Sequence, residues 1–529
     1  MCGIFFLNKL NINFRFYPIE TQNKKAQELF MRGSGRGPDN HQFLNLNNYY
    51  LGFHRLSING INSESNQPFI KNGVYLICNG EIYNFKELYN ELKIVPQTSS
   101  DCEIIIDLYL AGWSTERILS TLDGVFAFII YDTNNENLIV GRDPFGVRPL
   151  YYIYDKNYNT YSFASELKQL SSINVVSNFL PGQYSKNSKF YKYHALCNYN
   201  MNYVFKHLMI NNTNMLYTNL IKQSLMSAVH KRLLSDRPIA CLLSGGLDSS
   251  LICSLVSKLS GTQINTFSIG LEGSTDLKYA RIVSEYLNTN HTEIIMTEDD
   301  FFDSIPEVIK QIGSYDTTTV RASVGNYLIS RYISENTDYK VIFNGDGSDE
   351  LTGGYLYFHK SPNKLESHNE CVRLLSDIHY FDVLRSDRSI SSCGLEPRTP
   401  FLDKSFVNLY LSIPLEYRFQ ENTIEKKLLR DSFTEFLPNE ILYRKKEAFS
   451  DGVSGNDRSW FEIIAEKLNN VDIPNFKYNK EYLEPKTKEQ LYYRYLFEKY
   501  YSNCESVIPY FWMPKWSNTN DPSARTLIV

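Results

Sequence analysis

Ser244-Gly245-Gly246-Leu247-Asp248-Ser249-Ser250 constrains this chain more than any other stretch. It follows the apolar run Ile239–Leu243 and opens a helical pattern over Ser249–Leu259. Two adjacent glycines between a buried strand and a helix let the backbone come close to an anion. The free N–H groups and the positive end of the helix then hold it. Ser244 and Ser249 add hydroxyl donors. The lysine of a GxxxxGK[ST] loop is missing, so γ-phosphoryl transfer is not indicated. A loop of this kind suits a diphosphate leaving group, and hence adenylation.

The surrounding pattern extends this reading. Leu216–Leu234 reads as helix, Thr266–Leu271 as strand and Asp276–Leu287 as helix, with Thr292–Met296 and Tyr339–Phe343 as further strands. Alternating strands and helices predict a doubly wound α/β domain with a parallel sheet. Ligands in such sheets bind at the carboxyl ends of the strands. That brings Asn344-Gly345-Asp346-Gly347-Ser348-Asp349-Glu350, which follows Phe343, beside the glycine loop. Its acids, Asp349 among them, suit Mg²⁺ coordination or proton handling near phosphates. Lys446 and Arg444 supply positive charge for departing diphosphate. Residues past about 365 read as mainly helical, and the last twenty or so as loop.

The first 185 residues follow a different rule. Tyr49–Phe53, Val74–Cys78, Val125–Asp132, Asn137–Arg142 and Tyr161–Ala164 read as short strands, with helices over Asn84–Leu92 and Cys102–Ala111. This predicts an α+β domain over residues 2–185, followed by a polar, Asn- and Tyr-rich linker at 186–213 and the second domain at 214–529. Cys2 sits where removal of Met1 would give it a free α-amino group. That group titrates near pH 7.7–8.0, so it can act as base for its own thiol.

Composition sets outer bounds. A chain of 529 residues exceeds one core. A net charge of −5 makes nucleic acid an unexpected partner. Nine cysteines without a CxxC pair fit reduced thiols better than a disulfide framework. No apolar run reaches the ~18 residues of a membrane span. No signal-peptide pattern opens the chain, and the cytoplasm is the expected compartment.

With Cys2 at one end and the glycine loop in the other half, the chain resembles the glutamine-hydrolysing asparagine synthetases. The resemblance runs through Arg36-Gly37-Pro38-Asp39, Phe53-His54-Arg55-Leu56, Asn79-Gly80-Glu81-Ile82-Tyr83-Asn84 and Gly141-Arg142-Asp143. It continues through Tyr315–Arg321, Pro400-Phe401-Leu402-Asp403, Lys446–Gly452 and Asp521-Pro522-Ser523-Ala524-Arg525. It implies an N-terminal nucleophile hydrolase sandwich, a class II glutamine amidotransferase domain, joined to an ATP domain of the PP-loop type. The implied reaction makes L-asparagine from L-aspartate, ATP and L-glutamine through a β-aspartyl-AMP intermediate. Mg²⁺ is implied, with no tightly bound organic cofactor, and a homodimer is possible. By resemblance, Cys2 attacks the glutamine amide, and Asn79 and the N–H of Gly80 form the oxyanion hole. Arg55, Leu56, Ser57, Ile58, Asn59, Glu81 and Asp101 surround glutamine. Leu243, Ser244, Gly245, Gly246, Asp248, Ser249, Ile269, Asn344 and Gly345 contact ATP. Thr318, Arg321, Asp346 and Lys446 lie near the acyl-adenylate and diphosphate.

Three positions depart from the family pattern. Gly35 replaces a histidine, Gly313 stands where a glutamate is common, and Asp346 stands where many members carry glutamate. These leave room for an amide-forming ligase acting on another carboxylate, or for a regulatory homologue with impaired catalysis.

Overall fold

A computed structural model describes every residue except 12–14, 197–212, 456 and 527–529. The N-terminal domain is built on two antiparallel six-stranded sheets. One contains Gly3–Asn8, Asn40–Asn45, Tyr49–Arg55, Tyr151–Asp155, Thr160–Ala164 and Val176–Asn178. The other contains Phe69–Lys71, Val74–Ile82, Gly124–Asp132, Asn137–Arg142, Gln183–Lys186 and Lys189–Lys192.

Alternation of side chains along each strand sorts residues between layers. Ile4 and Phe6 point into the sandwich, where they meet Ile77, Ala127, Ile129 and Val140 of the facing sheet. Phe5 and Leu7 point the other way, onto Ala26, Leu29 and Phe30 of the helix Ile19–Met31. Leu76, Cys78, Phe126 and Phe128 face the helices Phe85–Leu92, Ile104–Leu110 and Thr115–Thr121. The result is helix, sheet, sheet, helix. Both strand and helix expectations for this domain are met within a few residues at each end.

The hairpin Gln183–Lys192 runs past the boundary at 185 read from the sequence. Of the stretch read as a linker, residues 197–212 lie outside the described ones.

The second domain carries a five-stranded sheet in the order Asn290–Met296, Asn265–Leu271, Ile239–Leu242, Val341–Phe343, Glu396–Arg398. All four pairings are parallel. The order reverses between Ile239–Leu242 and Val341–Phe343, so the crevice of a doubly wound sheet opens there. One face packs on the helices Thr213–Lys231 and Leu247–Ser260. The other packs on Ile305–Ile312, Thr317–Asn336 and Asp382–Ser391, and these on the C-terminal helices Trp460–Asn469 and Lys488–Tyr500. Glu396–Arg398 escaped the sequence reading: it is three residues long, holds a proline and buries two charges.

Candidate active sites

Cys2 stands at the head of the strand Gly3–Asn8, and its thiol donates to the Leu56 carbonyl at 3.6 Å. Burial pushes the thiol up to about 11. Met1 is itself buried, and burial pulls its α-amino group down to about 6. While Met1 remains, that amine belongs to Met1 and Cys2 has none of its own.

The strand Val74–Ile82 carries Asn79, Gly80 and Glu81. The Asn79 amide is buried, with neither its nitrogen nor its oxygen hydrogen-bonded. An unpaired buried amide costs about 1–3 kcal/mol, so this one is set for a ligand. Gly80 has no room for a Cβ, which would come within 2.5 Å of the Val125 carbonyl. Arg55 is held by the carbonyl of Asn62 at 2.7 Å, the amide oxygen of Asn66 at 2.6 Å and the Gly60 carbonyl. None of these partners is a carboxylate, which leaves the guanidinium charge available to an anion. Asn59 donates to Glu81 at 2.5 Å, the Ser57 N–H to Asp39 at 2.8 Å and the Ile82 N–H to Asp101 at 2.6 Å. Burial lifts Asp101 to about 6, and burial together with Glu396 and Asp101 lifts Glu81 well above the usual carboxylate range.

The floor of this site comes from the other domain. Arg398 approaches Glu81 at 3.4 Å. Arg36 donates to the Cys2 carbonyl at 2.9 Å and pairs with Asp387 at 2.7 Å. Neither Arg398 nor Asp387 carried a sequence signal for this role, because the contact exists only once the domains dock.

The second site lies at the reversal point of the parallel sheet. Leu243, Ser244, Gly246, Asp248, Ser249, Ile269, Thr318, Asn344, Gly345, Asp346, Asp349 and Lys446 all line one cleft. Gly246 caps the helix Leu247–Ser260, and the Ser244 and Ser249 hydroxyls lie 2.9 Å apart. Gly245 turns the loop at φ +69°, with Tyr279 and Ala280 behind it. The expectation that Arg321 joins the cleft is not met. Its guanidinium is buried behind the lining, paired with Glu489 at 2.6 Å and Asp521 at 2.8 Å. Gly313 also stands outside the lining, as the left-handed cap of the helix Ile305–Ile312.

Lys426, unmarked in the sequence, joins the acids. Its Nζ lies 2.6 Å from both Asp248 and Asp349, and Lys446 lies 2.6 Å from the second oxygen of Asp349. Burial opposes the charge of Asp349, yet the two lysines hold its carboxyl below the ordinary value. Asp248 and Asp349 thus converge on Lys426, with Lys446 beside them, and two carboxylates so placed are of the type that Mg²⁺ takes when carried with a nucleotide. Among the described residues no set of three or more such ligands forms a closed metal cage.

Both sites thus lie in one chain, each with an unpaired or convergent polar set. Residues 1–207 match the family described as Glutamine amidotransferase domain, and residues 220–370 and 360–519 match Asparagine synthase. The chain is 42% identical to the human Asparagine synthetase [glutamine-hydrolyzing], covering 94% of this chain and 95% of that one. The Cricetulus griseus and Gallus gallus proteins of the same name are 43% and 42% identical over the same shares. The chain belongs to the glutamine-hydrolysing asparagine synthetases. Within this family, the matched stretches fall on the two domains as folded: one ends beyond the hairpin at Lys192, the other begins inside the helix Thr213–Lys231.

Proposed function

We propose that this chain synthesises L-asparagine from L-aspartate, spending ATP and the ammonia it takes from L-glutamine. AMP, diphosphate and L-glutamate are the other products. The observation that carries the reading is the cleft at the sheet's reversal point. It joins a glycine-rich anion loop to Lys446 and paired carboxylates, in a chain that also holds Cys2 and a buried Asn79 amide without a partner among the described residues.

In the glutaminase half, Cys2 attacks the side-chain amide carbon of glutamine. Its proton passes to the α-amino group, which is its own once Met1 is gone. The Asn79 amide and the Gly80 N–H receive the developing oxyanion, a contact worth about 100–1000-fold in rate. Arg55 takes the α-carboxylate, and Glu81 and Asp101 take the α-ammonium. The oxyanion collapses to the thioester as the C–N bond breaks and ammonia leaves with the proton that the α-amino group took from the thiol, and water then releases glutamate from the thioester.

In the synthetase half, the β-carboxylate of aspartate attacks the α-phosphorus of ATP and diphosphate leaves. The glycine loop and the N-terminus of the helix Leu247–Ser260 hold the phosphates. Lys446 neutralises the leaving charge, and Thr318, whose buried hydroxyl has no partner, is available to a phosphate oxygen. Asp248 and Asp349 would hold Mg²⁺, which supplies further neutralisation when bound with the nucleotide. Ammonia then displaces AMP from the acyl carbon. The cytoplasm is the proposed compartment, which suits the unpaired thiols of the described cysteines.

Replacing Cys2 with alanine tests the division of labour. Glutamine-dependent asparagine formation is expected to vanish while ammonia-dependent formation, followed by AMP release, stays near its original rate. Loss of both activities in a folded protein would sink the reading.

A further inference from the structure

Asp346 lines the nucleotide cleft, and its surroundings differ from those of the neighbouring acids. Asp248 and Asp349 are both bound to lysines. Asp346 is held instead by one arginine: Arg385 Nη2 donates to Oδ1 at 2.8 Å. The other oxygen, Oδ2, is buried and has no hydrogen-bond partner. A buried carboxylate oxygen without a donor is costly unless a ligand supplies one.

Arg385 is itself fixed from behind. Its Nε and Nη2 donate to Asp382 Oδ1 at 3.0 and 2.9 Å, and the Tyr355 hydroxyl donates to the other oxygen of Asp382 at 2.9 Å. Asp382 and Arg385 sit three residues apart on the helix Asp382–Ser391, so they share one face. The same helix places Ser386 against the Asn344 amide at 2.8 Å. Two side chains of the Asn344–Gly347 loop are thus held by this one helix.

Resting on the proposed function, we infer that Arg385 is the positioning residue for the Asp346 carboxylate. Clamped by Asp382, Arg385 holds one oxygen of Asp346 and turns the other into the cleft as a free acceptor for a substrate N–H donor. Arg385 Nη2 reaches both carboxylates while Nε adds a second bond to Asp382, a bond that a lysine, with one nitrogen, would not supply.

A double-mutant cycle with Arg385→Gln and Asp346→Asn, read by aspartate-dependent ATP–diphosphate exchange, tests this. Arg385→Gln is expected to lower kcat by about 100-fold, the scale of a misplacement near 1 Å, with little change in the KM for ATP. Glutamine hydrolysis at Cys2 should be retained, which reports that the variant is folded. If Arg385 acts through Asp346, the double variant is no slower than Asp346→Asn alone. Losses that multiply in the double variant overturn the inference, as does an Arg385→Gln enzyme with unchanged kcat. Should Arg385→Gln fail to fold, Arg385→Lys replaces it in the same cycle, keeping the charge and losing the fork. An unmodified enzyme that exchanges diphosphate with no added aspartate effect would overturn the proposed function itself, and this inference with it.

Discussion

Asp101 carries a pH dependence that an exposed carboxylate would not show. Burial lifts it to about 6, from an ordinary value of 3.8, although the Ile82 N–H favours the charged form. Only the ionised form attracts the α-ammonium of glutamine. The sign is therefore fixed: in the proposed role, the contribution of Asp101 to binding is present above pH 6 and is lost as pH falls through it. kcat/KM for glutamine hydrolysis should drop about tenfold per pH unit below 6, through KM, while ammonia-dependent synthesis stays flat over the same window. A glutaminase profile that breaks only near pH 4 would remove Asp101 from the role. At this scale the sequence was a good guide where a motif fixes a residue's neighbours: Asn79, Gly80 and Glu81 follow one another on the strand Val74–Ile82, and the Ile82 N–H donates to Asp101. For Arg321 it was not, because a motif gives a residue's place on a helix and not the carboxylates, Glu489 and Asp521, that arrive from far along the chain.

The loop and helix from Ser244 to Ser260 show how two glycines with the same backbone angle differ in what they control. Gly245, at φ +69°, has Ala280 N within 2.4 Å of where a Cβ would sit. Gly261, at φ +66°, ends the same helix with nothing within 4 Å. Gly261→Ala should therefore cost only the left-handed strain, about 1–2 kcal/mol, and leave activity unchanged. Gly245→Ala adds a backbone clash to that strain and should abolish ATP binding. Urea unfolding with nucleotide titration separates the two; equal losses would mean that the close approach to Ala280 is not limiting. Elements with a strong pattern were legible because burial on both faces enforces it, as at Ile239–Leu242 and Asn265–Leu271. Glu396–Arg398 was not, since its charges are satisfied by Arg148 and Glu81 across the domain interface. The helix Asp382–Ser391 likewise hides its importance, because its buried polar face reads as a solvated one until Asp346 and Arg36 are seen against it.

Across the whole molecule, the glutaminase site is completed by a buried ionic seam between domains. Asp387 pairs with Arg36 at 2.7 Å and Arg388 at 2.9 Å, and Arg148 stands 3.7 Å away. Arg36 also fixes the Cys2 carbonyl, so the seam orients the nucleophile as well as joining the domains. Burial works against the charge on Asp387, yet Arg36 and Arg388 hold its carboxyl below the ordinary 3.8. A depressed carboxylate contributes stability above its unfolded value and loses it as pH falls through the folded one. Asp387→Asn should thus destabilise the chain by about 3–5 kcal/mol, since it strands buried arginines. The deficit should be constant from about pH 5 upward and shrink below pH 4, where the wild-type carboxylate also gains its proton. Because Arg36 keeps Glu166 but loses its second carboxylate partner, glutamine hydrolysis should fall further than ammonia-dependent synthesis measured at the same fraction folded. Urea unfolding from pH 3 to 8 with both activities decides it. A deficit that grows toward low pH, or equal losses at the two sites, would place Asp387 outside the seam that aligns Cys2.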